Sequence, residues 1–169
     1  MADQKSSQWL DLSDEHLNDQ DMKILAEKYH EITTFTEINL SKNEISSKGI
    51  KCLVDLLQNS KELSVLLLGN NRIGFTGAQY LSQALEKNKT LTTLSLQQNH
   101  IGLKGAKYLA DALHDNKTLT VLSLSGNRFG PKGVRDLTNT LDANTSLTNV
   151  LVNGMNLCRN RRTCNINVN

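Results

Sequence analysis

The sequence contains no run of about 18 consecutive apolar residues, the length a membrane-spanning helix needs. After Met1 it reads Ala-Asp-Gln-Lys-Ser-Ser, without the apolar stretch of a secretory signal. There is only one proline, and 38% of residues are hydrophobic, so the 169 residues suit one compact domain rather than a disordered chain. The three cysteines, at positions 52, 158 and 164, are an odd number without a repeating framework. That argues against a disulfide-built secreted scaffold and for a reducing compartment, so the expected location is cytoplasmic. A net charge of +2 lacks the dense basic stripe of a nucleic-acid binder, and no nucleic-acid or membrane partner is expected. The charge is nevertheless unevenly spread: Asp11, Asp14, Glu15, Asp19 and Asp21 make one end acidic, and Arg159, Arg161 and Arg162 make the other basic.

What the sequence does have is repetition. Residues 63–90 (LSVLLLGNNRIGFTGAQYLSQALEKNKT) and 91–118 (LTTLSLQQNHIGLKGAKYLADALHDNKT) are identical at roughly half their positions. The frame continues forward through Leu119, Leu122, Leu124, Asn127, Phe129, Gly133, Leu137 and Leu141. It runs backward through Phe35, Ile38, Leu40, Asn43, Ile45, Gly49, Leu53 and Leu57. Six 28-residue units result, starting near residues 7, 35, 63, 91, 119 and 147. The first and last are weak copies, with Glu15 and Met155 at the asparagine position, and are expected to cap the array. The repeat domain spans 1–157, and 158–169 form a basic tail holding Cys158 and Cys164.

Two periodicities occur within each unit. Alternation in Leu63-x-x-Leu66-x-Leu68 predicts a short strand, and the three- and four-residue spacing of Gly77, Leu81 and Leu85 predicts a helix. Asn43, Asn71, Asn99 and Asn127 fall where the chain leaves each strand. A side-chain amide both donates and accepts, so these four are expected to form a ladder that satisfies turn backbone groups. Gly49, Gly77, Gly105 and Gly133 are expected to let each helix approach the sheet closely, and Pro131 falls near a helix start. Strands stack about 4.8 Å apart and helices about 8–10 Å apart, so the stack must bend with its sheet inside. The expected fold is α/β: a right-handed solenoid forming a short horseshoe arc, with a parallel sheet on the concave face and helices on the convex face.

The pattern LxxLxLxxNxIxxxGAxxLxxAL, read at Leu63–Leu85 and again at Leu91–Leu113, resembles the ribonuclease-inhibitor-like class of leucine-rich repeats. That class includes ribonuclease inhibitor, the Ran GTPase-activating protein and the sensing arrays of NOD-like receptors. The resemblance implies binding of a partner protein through the sheet face and adjoining loops, as an inhibitor, a regulator of an enzyme such as a small GTPase, or a ligand sensor. An array of only six units is also similar to small leucine-rich-repeat effectors that bacteria deliver into the host cytosol. The pattern residues themselves are structural, so function must be argued from the positions between them.

Those positions place Trp9, Asp11, Glu37, Asn39, Val65, Leu67, Thr93, Ser95, Gln97, Val121 and Ser123 on the concave surface. Val65, Leu67 and Val121 are expected to form an exposed apolar patch of the kind that marks interaction sites; the alternative is β-propensity alone. Trp9 is either an aromatic anchor for a partner or a lid over the first repeat. Arg72, His100 and Arg128, one repeat apart on the rim, are expected to stack as a basic row suited to an acidic surface, or to be ordinary solvated residues. No catalytic residues are assigned, because the frame separates every cysteine and histidine and assembles no nucleophile with a base. No metal-ligand spacing and no cofactor motif occurs, so the expected partner is another protein, bound by a monomer.

Overall fold

The structure, a computed structural model, describes residues 8–28 and 35–157; side chains are described throughout these except at 140–143. His30, the Cys158–Asn169 tail with its cysteines and arginines, and the side chain of Leu141 lie outside the described set.

Five strand-helix pairs follow one another along the chain. β1 (Trp9–Asp11) leads to α1 (Asp19–Lys28), β2 (Glu37–Asn39) to α2 (Ser47–Asn59) and β3 (Val65–Leu67) to α3 (Gly74–Lys87). β4 (Thr93–Ser95) then leads to α4 (Gly102–Asp115) and β5 (Val121–Ser123) to α5 (Gly130–Ala143), before β6 (Asn149–Val152) and β7 (Met155–Asn156). The sheet order is the chain order, and β1 to β6 are parallel. Every parallel pair joins residues 28 apart, as in Trp9 with Glu37 and Glu37 with Val65, so equivalent side chains stack in straight rows.

The core lies between sheet and helices. Leu66, Leu68, Leu94, Leu96, Leu122 and Leu124 of the strands meet Leu81, Leu85, Leu109, Leu113 and Leu137 of the helices, all buried. Each fully buried leucine stabilises the fold by roughly 1.5–3 kcal/mol relative to an exposed one. Ile45, Ile73, Ile101 and Phe129 fill the corners where turn becomes helix. The helices also carry buried alanines, Ala78, Ala84, Ala106 and Ala112.

The asparagine ladder forms as expected. Asn99 Nδ2 donates to the carbonyls of Leu68, one repeat back, at 2.7 Å and Leu96 at 3.2 Å. Asn127 Oδ1 accepts the N–H groups of Asn99 and Ile101 at 2.9 and 3.3 Å. Asn43 and Asn71 repeat the arrangement on Leu12, Leu17, Leu40 and Ile45. The residue before each of these asparagines has a left-handed backbone, Lys42 (φ 58°), Asn70 (φ 57°), Gln98 (φ 54°) and Gly126 (φ 76°), as does Asp14 (φ 64°) before Glu15. That conformation turns the chain out of the sheet and brings the amide inward.

Two expectations need correcting. The glycines do not serve approach of helix to sheet but of helix to helix: a Cβ on Gly105 would stand 3.2 Å from the Phe75 Cα of α3, and one on Gly77 3.4 Å from the Ser47 Cα of α2. The sixth unit also departs from the repeat. Asn153 (φ 49°) and Gly154 (φ 78°) form a tight turn, and β7 comes back antiparallel to β6, with Val152 opposite Met155. Two left-handed residues in a row suit a two-residue hairpin, whose twist matches that of the strands it joins.

Candidate functional site

Strand register builds the concave face in rows. Trp9, Glu37, Val65, Thr93, Val121 and Asn149 make one row; Asp11, Asn39, Leu67, Ser95, Ser123 and Leu151 make the next. The sequence-assigned concave residues are therefore brought together on one surface. The patch of Val65, Leu67 and Val121 differs from expectation in being half-buried rather than exposed, because curvature turns neighbouring side chains toward one another. The exposed apolar residues of this face stand at its ends: Trp9 is 60% exposed on the first strand and Leu151 36% on the last parallel one.

Gln97 sits at the centre. Its Oε1 accepts the hydroxyls of Ser95 at 3.2 Å and Ser123 at 3.1 Å. Its side chain lies over Gly69, where an added Cβ would meet Gln97 Cγ at 2.9 Å. The amide is thus held over the sheet by contacts with residues of three consecutive repeats.

On the concave strands and their rim turns, acidic groups are confined to the first two repeats, at Asp11, Asp14, Glu15, Glu37 and Glu44. The Ser13 hydroxyl, at 2.7 Å, and the Ser13 N–H hold the carboxyl of Asp11 below its ordinary range. At Asp19, at the start of α1, burial opposes ionisation, but the Ser46 hydroxyl, the Ser46 and Gly49 N–H groups and the Lys48 charge outweigh it, and its pKa is lowered. Asp19 thereby caps α2 from the preceding repeat.

On the rim, Arg72, His100 and Arg128 line one cleft of about 430 Å³ together with Asn43, Asn70, Asn71, Gln98 and Gly126. Arg72 also forms an exposed ion pair with Glu44 at 3.4 Å. His16 is likewise on a rim turn, Cys52 on α2 and His114 in the last turn of α4. Among the described residues no cluster of three or more His, Cys, Asp or Glu could hold a metal ion, and no helix is long and apolar enough to cross a membrane.

Sequence reasoning missed a second ladder on the opposite edge. Asn88, Asn116 and Asn144 end α3, α4 and α5, donating one repeat back to Leu57, Leu85 and Leu113. Their Oδ1 atoms accept the N–H groups of Leu91, Leu119 and Leu147, each at 2.8 Å. The signal was present as Asn-x-Thr/Ser-Leu at 88–91, 116–119 and 144–147.

The comparisons with known proteins agree with this architecture. The family model described as "Leucine Rich repeat" matches residues 31–54, 87–110 and 115–137. These matches and the parallel strand-helix stack are those of a leucine-rich-repeat solenoid fold, and the repeat pattern is similar to the ribonuclease-inhibitor-like class. Among solved structures it is similar to leiomodin-1 actin-binding site 2, at 25% identity and a TM-score of 0.71, over 78% of this chain and 77% of that one. It also shares its fold with the tropomodulin C-terminal domain of Caenorhabditis elegans, at 20% identity and a TM-score of 0.68, over 78% of this chain and 82% of the other. No curated protein matches it in sequence.

Proposed function

We propose that this chain is a stoichiometric protein-binding module that blocks or redirects its partner through the concave sheet and the adjoining rim. The observation that carries this reading is the convergence of five repeats on one surface. Half-buried Val65, Leu67 and Val121 and the pinned Gln97 amide lie between acidic Asp11 and Glu37 on one side and the Arg72–His100–Arg128 cleft on another. Side chains already held by their neighbours lose little freedom on binding, which favours a rigid docking face. The similarity to leiomodin-1 actin-binding site 2 supports a protein partner and makes actin the first to test.

The test is binding kinetics with purified actin, with circular dichroism to confirm that each variant folds. Leu67→Asp should cost about 2 kcal/mol or more of affinity, because central apolar contacts carry most binding energy. Changing Arg72 and Arg128 together to glutamate should mainly slow association, and less so at high salt, because rim charges act over the Debye length. No binding of the parent removes actin as partner. Parent-like binding by both folded variants removes the concave face as the site.

A further inference from the structure

The flank where strands turn into helices, which meets the rim cleft at Arg128, carries its own pattern along the first turns of the helices. Acidic residues are absent between Leu63 and Leu85, between Leu91 and Ala110, and between Lys117 and Arg135. The first turns of α2, α3, α4 and α5 likewise hold no acid, whereas α1 has Asp19 and Asp21 there. In their place stand exposed cations: Lys48 and Lys51 on α2, Lys104 and Lys107 on α4, Lys132 and Arg135 on α5, with Arg128 just before. Helix N-termini already carry partial positive charge, so this distribution opposes the usual preference for acids. Among the described residues, Lys104, Lys107, Arg128, Lys132 and Arg135 have no carboxylate partner.

Apolar side chains stand in the same register. Phe75 is 44% and Leu103 41% exposed at the second position of α3 and α4, and exposed Pro131 holds that position in α5. Lys104 Nζ lies 4.5 Å from the centre of the Phe75 ring. Because the units stack at an unvarying 28 residues, these positions recur once in each repeat along the flank.

We propose that this flank is a peripheral attachment surface for an anionic lipid bilayer, with Phe75, Leu103 and Pro131 entering the headgroup layer and the surrounding cations lying over acidic lipids. A row of exposed apolar tips among unpaired cations matches an anionic interface with an apolar layer beneath its headgroups, which a soluble acidic peptide does not offer. Crossing a membrane is not required, and the concave face stays open to a protein partner.

The experiment is co-sedimentation of the full chain with phosphatidylcholine vesicles with and without phosphatidylserine, at low and high salt. The parent should bind only the anionic vesicles, and binding should weaken as salt rises. Lys104→Glu, Lys107→Glu and Lys132→Glu together should lower the partition by roughly a hundredfold or more. Phe75→Ser with Leu103→Ser should weaken it at constant charge. Reversing Lys61, Lys89 and Lys117, which line the opposite flank, should leave it near the parent value, as should Leu67→Asp; circular dichroism confirms each fold. Failure of the parent to bind anionic vesicles at low salt overturns the proposal, as does equal loss on reversing either flank. Binding to soluble polyglutamate as tight as to vesicles and indifferent to Phe75 and Leu103 also overturns it, in favour of an acidic protein. Because Leu67→Asp affects only the concave face, this test can fail without touching the protein-binding reading.

Discussion

At the scale of single residues, the asparagines and Asp19 do the same physical work with different chemistry. Asn99 is fully buried and holds backbone groups of two repeats, so Asn99→Ala should leave them unpaired and destabilise the domain by about 1–3 kcal/mol. An unchanged denaturation midpoint would contradict the ladder. Asp19→Ala should cost about 1 kcal/mol at neutral pH through loss of its bonds to the Ser46 and Gly49 N–H groups at the start of α2, where Ser46 still caps Lys48. Since the folded carboxyl has a lowered pKa, its contribution is complete above the unfolded value of about 4 and is lost as pH falls through the folded value. Denaturant titrations should therefore show parent and Asp19→Ala converging in acid; a constant gap would mean that charge plays no part. The first ladder was legible because a polar side chain that recurs among leucines at an unvarying period must answer the same backbone groups in every unit. The half-burial of Leu67 was not, since alternation tells which face a residue is on but not how far curvature closes that face.

At the scale of elements, spacing between helices depends on what the glycines omit. A Cβ at Gly105 would press on the Ala78 Cβ at 3.1 Å and on the α3 backbone at Phe75, besides the Ile101 side chain. Gly105→Ala should therefore destabilise by about 1–3 kcal/mol, as overpacking does. Gly102, three residues earlier, has open space around it and a φ of +64°, so Gly102→Ala should cost only about 1–2 kcal/mol of backbone strain. Unfolding midpoints of the two variants compare packing with conformation, and a milder effect at Gly105 would refute the helix-contact account. Helices and parallel strands could be read from periodicity alone, but the β6–β7 hairpin could not be read by extending the repeat frame. Asn153-Gly154 is a strong local turn signal, and it overrides the repeat periodicity there.

At the scale of the whole molecule, each unit buries its apolar face against its neighbours, and the ends need protection. Met22 of α1 is buried against the second repeat, as Ile45 and Ile50 are from the other side. Deleting residues 1–34 should uncover that contact and cause association, which light scattering would report; a monodisperse product would show that the first unit is no cap. The inter-repeat connections have a further consequence. The asparagine amides, the sheet hydrogen bonds and the Thr92, Thr120 and Thr148 hydroxyls, each donating to a carbonyl 28 residues back, all run along the stacking axis. A pull applied between the two ends loads these sets of bonds in series. The array should yield under tension one unit at a time, each release freeing a 28-residue length of roughly 95 Å at full extension. In a tethered chain such a protein would act as an extensible link, lengthening in equal steps.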